Sequence, residues 1–145
     1  VKNLSISIGT DGVGPLTDAL LADLEKRGCK VFRHGALETS ASTAWASVGR
    51  AVATEVAQGK ADFGIVCCWT GTGISIAANK ITGIRAALCG DAQTAVGARR
   101  WNNANVLALS LRAVSPAIAL EILEAFLTTP VSDRKADCAE IAAIE

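Results

Sequence analysis

Residues 4–8 alternate apolar and small polar side chains, Leu-Ser-Ile-Ser-Ile, the period-two pattern of a half-buried strand. The alternation ends in a glycine-rich turn over 9–14, and Pro15 then marks a helix start. Leu16, Leu20 and Leu24 recur at helical spacing, with Gly28 where such a helix should stop. Residues 30–32 form a short second strand, and 39–43 form a polar loop. Trp45, Val48, Val52 and Val56 share one face of a second helix, closed by Gly59. Residues 63–67 are apolar without interruption, as in a strand buried on both faces. A turn at 69–73 leads into a short helix ending near Lys80. The pattern then gives a strand at 84–89, a helix at 92–101 and a strand at 106–109. Ser115 and Pro116 open a helix through Leu127, a hydroxyl cap followed by a proline in the first turn. Residues 133–144 can form one more helix.

Strands that alternate with helices predict an α/β fold. The expectation is one Rossmann-like domain over residues 1–145, a three-layer sandwich with a five-stranded parallel sheet and a C-terminal helix. There is no internal repeat, linker or low-complexity tract. In such sheets ligands bind beyond the carboxyl ends of the strands, where the strand order reverses. That rule selects the loops at 9–14, 68–73 and 110–112.

Charge narrows the functional classes. The chain has 14 basic and 14 acidic residues, which removes the electrostatic footprint of a nucleic-acid binder. No apolar run approaches the roughly 18 residues of a membrane span. The opening run reads as a strand rather than a secretory leader, so a cytoplasmic protein is expected. The five cysteines are odd in number, two are adjacent, and His34 is the only histidine. Neither a disulfide framework nor a zinc site is indicated. Cys29, Cys67, Cys89 and Cys138 read as buried thiols. A dinucleotide turn also fails: G-x-G-x-x-G needs glycine where Ile76 stands, the first loop has its glycines in the wrong order, and Arg33 and His34 end strand two. No metal or organic cofactor is expected.

Residues 68–73, Cys-Trp-Thr-Gly-Thr-Gly, join a buried strand to a helix. Backbone N–H groups at a helix N-terminus make an anion site and can lower a neighbouring thiol from its reference pKa of about 8.5. A Cys68 thiolate could take a proton from carbon beside a carbonyl, with the amides of Gly71, Thr72 and Gly73 holding the enediolate oxygen. The alternative is a strand-end cysteine packed beneath the loop.

Residues 64–80 resemble the signature of the ribose-5-phosphate isomerase B and galactose-6-phosphate isomerase family, roughly G-I-L-x-C-G-T-G-I-G-M-S-I-A-A-N-K. The similarity continues through 83–89 and 102–109, and Thr10-Asp11-Gly12-Val13-Gly14 resembles the family's opening S-D-H-A-G. The resemblance implies an aldose–ketose isomerase acting through a cis-enediolate. The family's reactive cysteine falls on Cys68, and the threonine that helps with ring opening falls on Thr70. The aspartate contacting sugar hydroxyls falls on Asp11, and the substrate-binding asparagine on Asn102. Phosphate-binding arginines fall on Arg112 and Arg134. Family members are dimers or tetramers in which one subunit completes its neighbour's site, so a homodimer or tetramer with shared sites is implied.

The departures point away from ribose 5-phosphate. Gly12 replaces a phosphate-side histidine, Trp101 replaces the histidine that opens the furanose ring, and Cys138 replaces the second tail arginine. Trp45 replaces a tyrosine near the phosphate end, and Trp69 the first glycine of the turn. A substrate that cannot close a five-membered ring, such as a tetrose phosphate, needs no ring-opening histidine. A rival reading is a non-catalytic sugar-phosphate-binding protein, or a structural subunit of an isomerase complex. His34 reads as a solvated loop residue or a group at the pocket mouth, and one of the adjacent Arg99 and Arg100 is expected to face solvent or a carboxylate. The three tryptophans read as packing aromatics or, around the pocket, as sugar-stacking ones.

Overall fold

The computed structural model describes residues 3–39 and 42–145, so Ser40 and Ala41 of the expected polar loop lie outside the described residues. Among the described residues eleven elements follow one another, strand and helix alternating as far as α5: β1 (Ser5–Thr10), α1 (Pro15–Lys26), β2 (Lys30–Gly35), α2 (Trp45–Ala57), β3 (Phe63–Cys68), α3 (Thr72–Asn79), β4 (Ala86–Leu88), α4 (Ala92–Asn102), β5 (Val106–Ser110), α5 (Pro116–Thr128) and α6 (Lys135–Ile144). The five strands form one parallel sheet in the order β2-β1-β3-β5-β4. From β1 the chain moves outward to β2 and then returns to β3 on the other side. The order therefore reverses between β1 and β3, which opens a crevice at their carboxyl ends.

Strand pleating sends successive side chains to opposite faces, and each face has its own core. On one side Ile6, Ile8, Ile65, Cys67, Leu107 and Leu109 pack with apolar residues of α1, α4 and α5. On the other, Val66, Cys68, Val106 and Ala108 pack with α2 and α3. The expected three-layer sandwich is therefore present. The C-terminal helix α6 packs on α4 and buries none of its own residues. No helix among the described residues is long and apolar enough to cross a membrane.

Several boundaries shift. β1 runs on to Thr10, because its ladder with β2 continues to the Thr10–Gly35 pair and the amide of Ala36 donates to the Thr10 carbonyl. The same ladder carries β2 past residue 32 and places His34 inside a strand. There its Nε2 meets Glu55 Oε2 at 2.8 Å, and the buried Ser7 hydroxyl donates to the same oxygen. His34 is thus not a solvated loop residue but a strand residue that lines a cavity with Glu55, Leu37 and Glu38. β4 shrinks to three residues, because the Arg85 amide before it donates to Asn105 Oδ1 rather than entering the ladder with β5. Asn79 holds the outer edge of Ala86, with Nδ2 donating to its carbonyl and Oδ1 accepting from its amide.

Of the arginine pair, Arg100 is the one that faces solvent and the other, Arg99, is buried. It is 9% exposed, stacked over Phe63 and Phe126, and it donates to the Ala104 carbonyl, while Arg100 is exposed. The cysteines divide differently from expectation. Cys67, Cys68 and Cys89 are buried, Cys29 is half-buried and Cys138 is exposed, the last because α6 lies on the surface.

Candidate active site

Three strand ends meet through their backbones. The Asp11 amide donates to the Cys67 carbonyl at 3.4 Å, the Leu111 amide to Cys68 at 3.0 Å, and the Arg112 amide to Trp69 at 3.0 Å. The Ser110 hydroxyl adds a bond to the Trp69 carbonyl at 2.9 Å. These bonds bring Asp11, Cys68, Thr70 and Arg112 to one end of the sheet.

The turn itself is built around Gly71. Its φ of 76° is left-handed, and a Cβ there would stand 2.5 Å from Leu88 Cδ1 and 2.9 Å from the Leu109 carbonyl carbon. Only glycine fits both demands. With Gly71 as cap, α3 starts at Thr72, so the amides of Thr72, Gly73 and Ile74 open the helix without intrahelical partners. Such amides form an anion-binding corner. Thr70 Oγ1 and Thr72 Oγ1 lie 2.8 Å apart and hydrogen-bond across the turn.

The two adjacent cysteines face opposite layers, as the alternation requires. Cys67 belongs to the α1 side, where complete burial pushes its thiol up to about 12. Cys68 belongs to the α2 side and is 5% exposed, directly before the turn. Its burial matches the packing reading, and its position at the head of the anion corner matches the functional one.

Burial raises the Asp11 carboxyl above its ordinary value, with a backbone hydrogen bond opposing the shift. Gly12 is held by the Thr10 hydroxyl, which donates to its carbonyl at 2.6 Å, and a Cβ there would meet only Leu111 Cδ1 at 4.0 Å. There is accordingly room at residue 12 for a larger side chain. Thr70, Ser110 and Arg112 line a cavity of about 230 Å³ with Leu88, Cys89 and Gly90.

Asn102 and Arg134 are not brought to that end. α4 leaves the carboxyl end of β4 and finishes just before β5 begins, so its last residues, Trp101 and Asn102, stand toward the amino ends of the strands. Asn102 lines a different cavity, with Asn79, Arg85 and Ala104. Arg134 caps α6, and its side chain is 75% exposed, with Nε 4.0 Å from Asp137. Cys138 lies on the same helix, its thiol donating to the Ser132 carbonyl at 3.6 Å. Within one chain the named residues therefore form two groups.

None of the three tryptophans is core. Trp45, Trp69 and Trp101 are 47%, 64% and 52% exposed. Trp101 folds back over Gly97 of its own helix, and Trp45 rests on Gly73. Leu88 beside Gly71 and the Asn79 clamp on β4 were not picked out as contributors from the sequence. Leu88 carries no chemical signal, and the role of Asn79 depends on β4 being an edge strand.

A family model described as Ribose/Galactose Isomerase matches residues 6–144. The chain is 38% identical over 125 residues to a D-erythrulose-4-phosphate isomerase of Pectobacterium atrosepticum, covering 86% of this chain and 82% of that protein. It is 42% identical over 123 residues to ribose-5-phosphate isomerase B of Escherichia coli, covering 84% and 82%. Among solved structures, the ribose-5-phosphate isomerase B of Clostridium thermocellum superposes with a TM-score of 0.88 at 37% identity, over 97% of this chain and 95% of that one.

Proposed function

Because the chain belongs to the ribose/galactose isomerase family, whose members here are sugar-phosphate isomerases, we propose that it interconverts the aldose and ketose forms of a short, open-chain sugar phosphate. The observation that carries this reading is the turn at 68–73, where a thiol at a strand end stands at the head of unpaired helix-opening amides. The Cys68 thiolate removes a proton from the carbon next to the carbonyl. The electron pair moves into the carbon–carbon bond, and the carbonyl oxygen becomes the enediolate oxyanion. The amides of Thr72 and Gly73 face that charge as it develops, with the turn set by Gly71. The proton of the neighbouring hydroxyl passes to that oxyanion, so the second oxygen becomes the new carbonyl, and the thiol returns its proton to the former carbonyl carbon; nothing is gained or lost overall.

Thr70 and Asp11 orient the hydroxyls, and Arg112 binds the phosphate by charge-assisted hydrogen bonds. Asn102 and Arg134 serve the same site from a second copy of the chain, in a homodimer or a tetramer, because their own chain holds them away from Cys68. Trp101 supports a short substrate. Indole nitrogen only donates a hydrogen bond and cannot exchange a proton with a furanose oxygen. A tetrose phosphate has no five-membered ring that leaves its phosphate in place, and the Pectobacterium relative is named for a four-carbon ketose phosphate.

The test is isomerisation of erythrose 4-phosphate in D₂O, read by NMR. Deuterium should enter the carbon that receives the proton, and Cys68→Ala should lower the rate about 10³-fold with the fold retained. Label-free product would mean that the thiol returns its proton faster than it exchanges with solvent, and turnover retained in Cys68→Ala would remove Cys68 as the base. Tight binding of tetrose and pentose phosphates without any turnover would leave a binding protein.

A further inference from the structure

Helices α2 and α3 lie unusually close at Gly49, where a Cβ would stand 2.9 Å from the Ile74 carbonyl oxygen and 3.3 Å from Ala77 Cβ. Trp45 sits one turn before Gly49 on the same face of α2. The close approach therefore delivers its indole onto the first turn of α3. The outer edge of the six-membered ring rests against Gly73, with Cζ3, Cε3 and Cη2 at 3.0, 3.1 and 3.2 Å from where a Cβ would be. The ring cannot retreat further toward α3, yet it remains 47% exposed. Its free surface thus stands beside the amides that open α3, as a rigid apolar wall.

We infer that Trp45 is a specificity-determining residue that limits the length of the carbon chain accepted at this site. The inference rests on the isomerase reading for the location of the substrate, but its cause is steric and separate from the ring-opening argument at Trp101. A substrate held at the turn and at Arg112 lies between the cavity lined by Thr70 and Arg112 on the β5 side and the indole on the α2 side. An additional carbon with its hydroxyl has to displace the indole or lift the reacting carbons off the amides. One methylene's difference in such a contact discriminates roughly 10–200-fold.

Open-chain acids separate this effect from ring opening, because neither has a ring to open. Calorimetric titration with 4-phospho-D-erythronate and 5-phospho-D-ribonate should show the four-carbon acid binding wild type at least about tenfold tighter. Trp45→Ala should shrink that ratio by about tenfold or more, and Trp45→Phe should give an intermediate ratio while keeping an aromatic on Gly73. An unchanged ratio in Trp45→Ala, with circular dichroism showing the native fold, would overturn the inference. So would wild type that binds neither acid. Failure of the isomerase reading has a different signature: the acids bind and are discriminated, but no sugar phosphate is isomerised.

Discussion

Cys67 and Cys68 are chemically identical neighbours whose surroundings separate them. The Cys67 thiol lies between the sheet and the α1 layer, fully buried, and burial pushes it from the ordinary 9.0 up to about 12. Cys89, also buried, is pushed up to about 11. For both groups the pKa in the folded protein is raised, so the protonated thiol is the form the fold favours. Their contribution to stability is complete below pH 9.0 and is lost as pH rises through about 11 and about 12. Urea unfolding followed across this window should show a falling midpoint, and Cys67→Ala should flatten the fall. At neutral pH the same variant should cost about 1 kcal/mol for the small void it leaves, with turnover retained. A variant as pH-sensitive as wild type would show that Cys67 is not the group being held protonated.

At the scale of elements, the site depends on how α3 begins. Gly71 combines a left-handed backbone with contact against Leu88 and the Leu109 carbonyl, whereas Gly59, after α2, has φ 74° and open space where a Cβ would be. Gly59→Ala should therefore lose only the conformational term, about 1 kcal/mol, and leave activity unchanged. Gly71→Ala should lose more than this and also lower kcat/KM, because the turn must deform to relieve the backbone contact. Thermal melting with matched kinetics separates the two, and equal losses would contradict the close-contact argument. Much of this level was legible in the sequence. The leucine spacing of α1, the uninterrupted apolar run of β3 and the Ser115–Pro116 opening of α5 all stand as expected, because local periodicity and caps decide them. What was not legible depended on partners distant in sequence. The β1–β2 ladder took His34 into a strand, two phenylalanine rings drew Arg99 rather than Arg100 into the core, and Asn105 took the Arg85 amide away from β4. The switch-point rule selected the loops at 9–14, 68–73 and 110–112, and their backbones do meet at one end of the sheet. The separation of Asn102 and Arg134 from them follows from the direction of α4, which a motif does not display.

At the scale of the whole molecule, that separation ties the proposed chemistry to the proposed homodimer or tetramer. In a two-fold dimer each site would take Cys68 from one copy and Asn102 with Arg134 from the other. Mixing Cys68→Ala subunits with subunits carrying both Asn102→Ala and Arg134→Ala, each inactive alone, should restore activity in the hybrids. Random pairing gives hybrids in half of the dimers with one intact site each, hence roughly a quarter of wild-type activity. No recovery, with hybrids shown to form, would place all the groups in one chain. The substrate proposed for this isomerase is a short open-chain sugar phosphate. The most direct test of that proposal is the ratio of kcat/KM for erythrose 4-phosphate to that for ribose 5-phosphate in the wild-type protein. General acid–base help at the ring oxygen is worth about 10²–10⁴-fold, and a site with Trp101 in place of that group should favour the tetrose phosphate by at least about 10². A ratio near or below one would contradict the account.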